Sequence, residues 1–361
     1  MKIAILYEYL TSYGGGEKTF KALADIFEDA ELFTLFYDPK IKKQLFPIRR
    51  INTSFLQKFP KFLKKRYQLL LPLLPIATET IDLRDFDIVI SASHSFIKGV
   101  ITRPKTIHVC YCFSPTRYLW DKSRKNILLH YFRVWDRQAS ERVDHFIACS
   151  ETVKQRIYKY YKRDSMVIYP PVQIPISKSE FLNKSQFSNN QFQKEFYLIV
   201  SQLRKYKKID IAIKAFNKLG LPLVIVGDGP EKLNLQRLAN KNIKFLGFQS
   251  NEVVKECYQN CTAFIFPTED DFGIAPVEAM LCGKPVLAYR KGGATETVIE
   301  GKTGEFFNYQ NSAVLADGVR RLRLNLKNYD PQFISAHAQQ FSEEKFKKEI
   351  LKFINRFAKE Q

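Results

Sequence analysis

The chain has 361 residues, 45 % of them apolar, which is enough for two domain cores and excludes wholesale disorder. Lys and Arg outnumber Asp and Glu by 57 to 37, and the formal charge of +20 predicts a polyanionic partner: nucleic acid, anionic lipid headgroups or a diphosphate substrate. The most apolar run, Leu69 to Ile76, is interrupted by Pro72 and Pro75 and falls short of the ~20 residues that span a bilayer.

The start, Met1 to Leu6, runs straight into Glu8 with no small-residue cleavage site, so it reads as a strand and the chain as cytoplasmic. The strand, Lys2–Tyr7, gives way to Gly14-Gly15-Gly16 and a helical pattern over Glu17–Phe27. Between Asp38 and Glu79 stand ten Lys or Arg and no acid. There Phe55, Phe59, Phe62 and Leu63 interleave with Lys58, Lys61, Lys64, Lys65 and Arg66. That segment, 40–67, suits contact with an anionic membrane surface, and it equally suits a solvated basic helix with its apolar residues turned inward. Further strands are expected over Phe86–Ala92, Thr106–Cys112, His145–Cys149 and Met166–Tyr169. They are short, near-continuous apolar runs of the kind a parallel sheet buries on both faces. The six cysteines sit mostly in such runs and read as small buried hydrophobes, not metal ligands.

Pro170-Pro171 closes this series, and the polar, aperiodic stretch 173–194 reads as a linker. A second series then alternates regularly. Strands are expected at Tyr197–Ser201, Leu223–Val226, Ile243–Leu246, Ala263–Phe266 and Pro285–Tyr289, and helices at Lys208–Leu219, Glu231–Asn240, Asn251–Asn260 and Val277–Cys282, with another from Ala294. The tail, capped by Ser342, carries an amphipathic stripe of Phe346, Ile350, Phe353 and Phe357. The fold class is α/β, with two doubly wound, Rossmann-like domains at 1–172 and 195–340 and a C-terminal helix at 341–361 packing back on the first domain.

In such sheets ligands sit beyond the carboxyl ends of the strands, so chemistry is sought on strand-to-helix loops. Gly14-Gly15-Gly16 opens a helix where backbone N–H groups can approach an oxyanion, although a bare tight turn has the same sequence. Val226-Gly227-Asp228-Gly229-Pro230 reads as a turn leading into a helix. The most informative stretch is Phe266 to Ala279, in which an acid cluster and a glycine loop precede a helix carrying Glu278 in its first turn. Asp270 and Glu278 can accept hydrogen bonds from sugar hydroxyls, and a helix-dipole role for Glu278 competes with that reading. The pair Asp270-Asp271 lacks the histidines or further carboxylates of a metal site, so no metal is expected.

Asp270-x7-Glu278, the following Ala-Met-x-Cys-Gly-Lys-Pro-Val and Gly292-Gly293-x-x-Glu296 resemble the donor-site signature of glycosyltransferase family 4. Gly14-Gly15-Gly16-Glu17, the segment around His94 and Lys98, and the run through Arg117, Trp120 and Asp121 are similar to a bacterial branch that includes O-antigen and exopolysaccharide mannosyltransferases. The resemblance implies a GT-B fold of two facing domains, retention of anomeric configuration, and a nucleotide-sugar donor, GDP-mannose by branch similarity. It implies a lipid-linked saccharide acceptor and a peripheral position on the inner face of the bacterial plasma membrane. It assigns catalysis to His94, Lys207 and Asp270. Donor contacts fall to Gly15, Gly16, Arg204, Lys207, Asp270, Phe272, Gly273, Ile274 and Glu278, and the acceptor side to Glu17, Lys98 and Arg117. The family commonly has Arg where this chain has Gln202, and Arg204 or Lys205 is the expected substitute. His108, His130, His145 and His337 are expected to be structural. A nucleotide-sugar epimerase of the same fold stays open as an alternative; a nucleic-acid-binding protein finds no recognition motif here.

Overall fold

The computed structural model describes residues 1–121, 127–174 and 195–357, so most of the expected linker lies outside the described residues. The chain divides into two compact units, Met1–Pro171 joined by the segment from Glu343, and Val172–Ser342.

The first unit is built on a seven-stranded sheet of order β3-β2-β1-β4-β5-β6-β7. Its strands are β1 (Ile3–Leu10), β2 (Glu31–Tyr37), β3 (Ile51–Thr53), β4 (Ile88–Ser93), β5 (Ile107–Cys112), β6 (His145–Ala148) and β7 (Ser165–Val167). All neighbours run parallel, with Ile5 of β1 opposite Leu32 on one side and Ile90 on the other. The strands read as apolar runs because both faces are covered: Ala4, Ile5, Leu6, Ile88, Val89 and Val109 are fully buried. Helix Glu343–Ile354 completes this unit. Its stripe of Phe346, Ile350 and Phe353 is buried, with Phe346 set edge-on to Tyr111 at 5.7 Å, and beyond the helix Phe357 stacks on His145 at 4.3 Å.

The second unit repeats the plan with six strands in the order β10-β9-β8-β11-β12-β13. They are β8 (Tyr197–Val200), β9 (Leu223–Val226), β10 (Ile243–Gly247), β11 (Ala263–Phe266), β12 (Val286–Tyr289) and β13 (Gly304–Phe307). In both sheets the strand order reverses beside the first strand, between β1 and β4 and between β8 and β11. Those two switch points are where a doubly wound sheet opens a crevice for ligands.

The sequence reading assigns no strand to β2, β3 or β13. β3 is only three residues long, below the length at which alternation carries information, and β13 follows a glycine turn inside a mixed polar stretch. β2 does carry a strand pattern in Leu32–Tyr37, a nearly continuous apolar run broken only by Thr34.

Candidate active site

The loop after β8 carries Gln202 to Lys208 and contains a short 3-10 turn, Lys205–Lys207. Lys208 adopts φ 55° and starts helix Ile209–Leu219, which swings the Lys207 side chain across the sheet edge. There its Nζ lies 2.5 Å from Asp270 Oδ2, on the loop after β11. Two residues predicted separately from sequence therefore meet at the β8/β11 switch point. The Thr268 hydroxyl ties the loops together by donating to the Tyr206 carbonyl at 3.3 Å. Arg204 is exposed, and its Nε donates to the Gln202 side-chain oxygen at 3.1 Å, so the glutamine at the family's arginine position orients a neighbouring arginine.

Two glycine motifs prove to be packing devices. A Cβ on Gly227 would stand 1.9 Å from the Ser201 carbonyl oxygen, and one on Gly229 2.5 Å from that of Leu203, so the turn after β9 braces the loop after β8. Similarly, a Cβ on Gly292 would stand 2.2 Å from the Asp270 carbonyl oxygen, and one on Gly293 2.3 Å from Phe272 Cα. The Gly293 N–H donates to that same Asp270 carbonyl at 3.0 Å. The backbone of Asp270 is thus fixed while its carboxylate stays at the crevice.

Helix Ile274–Leu281 begins behind Gly273, whose φ of 87° suits glycine and which offers no side chain to cap the first N–H groups. Phe272 is buried against Phe341 and turns the loop. The sequence reading starts this helix at Val277; the observed start is one turn earlier, which moves Glu278 out of the first turn and weakens the helix-dipole reading. Glu278 is buried and accepts the Tyr258 hydroxyl at 2.9 Å. Tyr258, on helix Asn251–Asn260, went unnoticed in the sequence because a tyrosine inside an amphipathic helix looks like core.

In the first unit, helix Gly15–Ile26 follows β1, with Gly14 as a cap that offers no side chain. A Cβ on Gly16 would lie 2.5 Å from the Tyr7 hydroxyl, so any side chain at 16 would have to displace that buried ring. Glu17 is buried and accepts the Ser12 hydroxyl at 3.0 Å; burial raises its pKa, with Ser12 and the nearby His94 opposing that rise. His94 follows β4 and keeps one side accessible, with its ring edge-on to Tyr9 at 5.5 Å and Tyr7 at 6.0 Å. Glu17, Tyr7 and His94 therefore gather at the β1/β4 switch point.

Lys98 requires correction as an acceptor-side contact. Its ammonium is buried inside the unit, donating to Asp136 Oδ1 and to the Ser95 carbonyl at 2.5 Å each. Asp136 also accepts from Thr116, Trp120 and Tyr161 at 2.7–2.8 Å. The pair locks the loops after β4 and β5 together and leaves no charge for a ligand. Arg117 stands beside that lock, half-buried, its Nε 3.6 Å from Asp121. Glu8, also fully buried, gathers Ser93 Oγ and the N–H groups of Ser95, Phe96 and Ile97 at 2.7–3.2 Å, which fixes the loop bearing His94. Neither Asp136 nor Glu8 stands out in the sequence: Glu8 is a single acid in an apolar run, and Asp136 lies between Arg133 and Arg137 in a mixed helix, where an acid looks solvated. Among the described residues, no three His, Cys, Asp or Glu side chains form a group suited to a metal.

Two family models match successive parts of the chain: "Glycosyltransferase Family 4" over residues 13–174 and "Glycosyl transferases group 1" over residues 181–359. The glycosyltransferase MJ1178 of Methanocaldococcus jannaschii is 28 % identical over 195 residues, covering 53 % of this chain and 52 % of that protein. The alpha-1,3/1,6-mannosyltransferase ALG2 of Dictyostelium discoideum is 27 % identical over 268 residues, covering 61 % and 62 %. The chain therefore matches between half and two thirds of the length of these relatives. Among solved structures, Anabaena Alr3699/HepE in complex with UDP-glucose superposes with a TM-score of 0.73 at 20 % identity, covering 99 % of this chain and 100 % of that one. The lipopolysaccharide outer core galactosyltransferase WaaB gives 0.67 at 19 % identity, with 99 % and 100 % covered. The fold is GT-B.

Proposed function

We propose that this chain, a GT-B glycosyltransferase of the family 4 type, transfers mannose from GDP-mannose, with retention, to a lipid-linked saccharide acceptor in bacterial surface polysaccharide assembly, as for lipopolysaccharide O-antigen. The observation that carries this reading is the meeting of Lys207 and Asp270 at the β8/β11 switch point, beside the start of helix Ile274–Leu281, whose cap is Gly273.

Transfer from a nucleoside diphosphate demands, above all, stabilisation of the negative charge that grows on the β-phosphate. Lys207 supplies a point charge, Arg204 a second cation, and Gly273 and Ile274 the amide groups at a positive helix end. Asp270 takes sugar hydroxyls and Glu278 the ribose. Gly15, Gly16, Glu17, His94 and Arg117 serve the N-terminal unit's part in binding, and no metal ion is required. The mannosyltransferase relatives support the choice of sugar; the UDP-glucose complex of the Anabaena protein makes a UDP-hexose the competing donor.

Attachment to an anionic leaflet through residues 40–67 is part of the same reading. Within it Phe62 is 64 % and Ile48 94 % exposed, and Leu69, just past it, is 63 % exposed. No helix among the described residues is long and apolar enough to cross a membrane. Calorimetry with GDP and UDP, then turnover of GDP-mannose and UDP-glucose in EDTA, tests the assignment. Binding of neither nucleotide would remove it, and preference for UDP would transfer it to the competing donor.

A further inference from the structure

The ion pair between Lys207 and Asp270 has a consequence for which ligand the C-terminal unit prefers. Both side chains are partly buried, 16 % and 19 % exposed, so solvent and salt screen the pair less than they would a surface bridge. The geometry points to Asp270 as a residue that discriminates the sugar-bearing donor from the bare nucleoside diphosphate product, by occupying Lys207 whenever no sugar hydroxyl is present. This inference rests on the donor-site reading above.

A carboxylate only accepts hydrogen bonds, so Asp270 must be met by a donor or a cation. In the structure the partner is Lys207 Nζ, and Asp270 Oδ1 lies 3.5 Å from the Thr268 hydroxyl. The Asp270 backbone cannot withdraw, because Gly292 and Gly293 abut it and the Gly293 N–H holds its carbonyl. Only the side chain can change partner.

A nucleoside diphosphate arriving without its sugar brings phosphate oxygens and no hydroxyl for Asp270. The carboxylate then keeps Lys207 and repels the terminal phosphate. A nucleotide sugar brings hydroxyl donors, which satisfy Asp270 and release Lys207 to the diphosphate. It also carries less negative charge at the β-phosphate, which is esterified. One residue thereby favours loading of the donor and departure of the product, a step that limits turnover in many enzymes.

The test is Asp270→Asn, nearly identical in shape, assayed by calorimetry with whichever of UDP or GDP wild type binds more tightly and with that nucleotide's hexose ester, UDP-glucose or GDP-mannose. The variant should bind the bare nucleoside diphosphate roughly tenfold more tightly, as expected for removal of a like charge at close range, and bind the nucleotide sugar no more tightly than wild type. In a Lys207→Met background the gain for the bare nucleotide should shrink to what relief of the direct carboxylate–phosphate repulsion supplies, because the rest acts through the freed ammonium. Unchanged or weaker binding of the bare nucleotide by a folded Asp270→Asn chain would overturn the inference, and so would a gain undiminished without Lys207. Wild type that binds neither UDP nor GDP would sink the donor-site reading itself, and this inference with it.

Discussion

At Glu278 one carboxylate oxygen accepts from the Tyr258 hydroxyl, which orients the group for the ribose contact proposed above. A hydrogen bond to a charged acceptor contributes ~1.5–3 kcal/mol, so Tyr258→Phe should weaken UDP or GDP binding roughly tenfold or more. Titration calorimetry on the variant checks this, and an unchanged affinity would make the Tyr258–Glu278 contact a matter of folding alone. His108 tests the opposite kind of residue, one that serves only the core. It is buried against Ser91 at 2.8 Å, and burial pushes its pKa from 6.5 down to about 4, with Asp144 opposing. The folded protein thus refuses a proton that the unfolded chain accepts below pH 6.5. Its stabilising contribution is complete above that pH and is lost as pH falls toward about 4, at about 1.4 kcal/mol per unit. Thermal melts across this window should show an acid slope that His108→Asn flattens. An identical slope in the variant would mean that other groups carry the acid sensitivity.

Among the elements, the loop after β4 depends on a remote strand for its shape. Glu8 of β1 accepts Ser93 Oγ and three successive N–H groups there, a job that a carboxamide cannot do because half of it donates. Glu8→Gln should leave at least one buried N–H unpaired, at a cost of ~1–3 kcal/mol. Hydrogen exchange at Ser95, Phe96 and Ile97 should accelerate, and protection equal to wild type would show that the loop holds itself. Most strands and the helices between the second unit's first five strands were legible because apolar runs and glycine stops repeat so regularly. Helices Ile127–Glu141, Glu151–Tyr161, Ser312–Leu324 and Pro331–Ala338 follow no such punctuation and have no assignment from sequence. The proposed donor motif draws notice in the sequence because Lys207 and Asp270 stand on loops that follow strands and Glu278 lies in the helix after the second of them. What the sequence concealed is pairing across long separations: Lys98 with Asp136, Glu8 with residues 93–97, and Tyr258 with Glu278. A buried ion pair and a free binding charge look the same in a linear string, which is why the sequence alone points Lys98 at a ligand.

For the whole molecule, the charge of +20 and the exposed Ile48, Phe62 and Leu69 bear on location. The protein should bind anionic vesicles at low salt and detach as the Debye length shrinks from ~10 Å at 0.1 M to ~3 Å at 1 M, with a residual fraction held by inserted apolar side chains. Flotation with Lys58, Lys61, Lys64, Lys65 and Arg66 changed to Gln should abolish binding. Wild type that fails to float at low salt would make the segment a solvated surface.

The return of helix Glu343–Ile354 to the first unit also sets a timetable for synthesis. The second unit is continuous in sequence, whereas the first is closed by a segment translated after the whole of Val172–Ser342. At ~5–20 residues per second the ribosome needs roughly 10–30 s to make that stretch. During that interval Tyr111 and His145 lack the rings of Phe346 and Phe357. The part begun first is therefore finished last. A nascent chain stalled at Ser342 would carry a complete second unit and an N-terminal unit with an open apolar face, a natural substrate for chaperones that guard unfinished proteins.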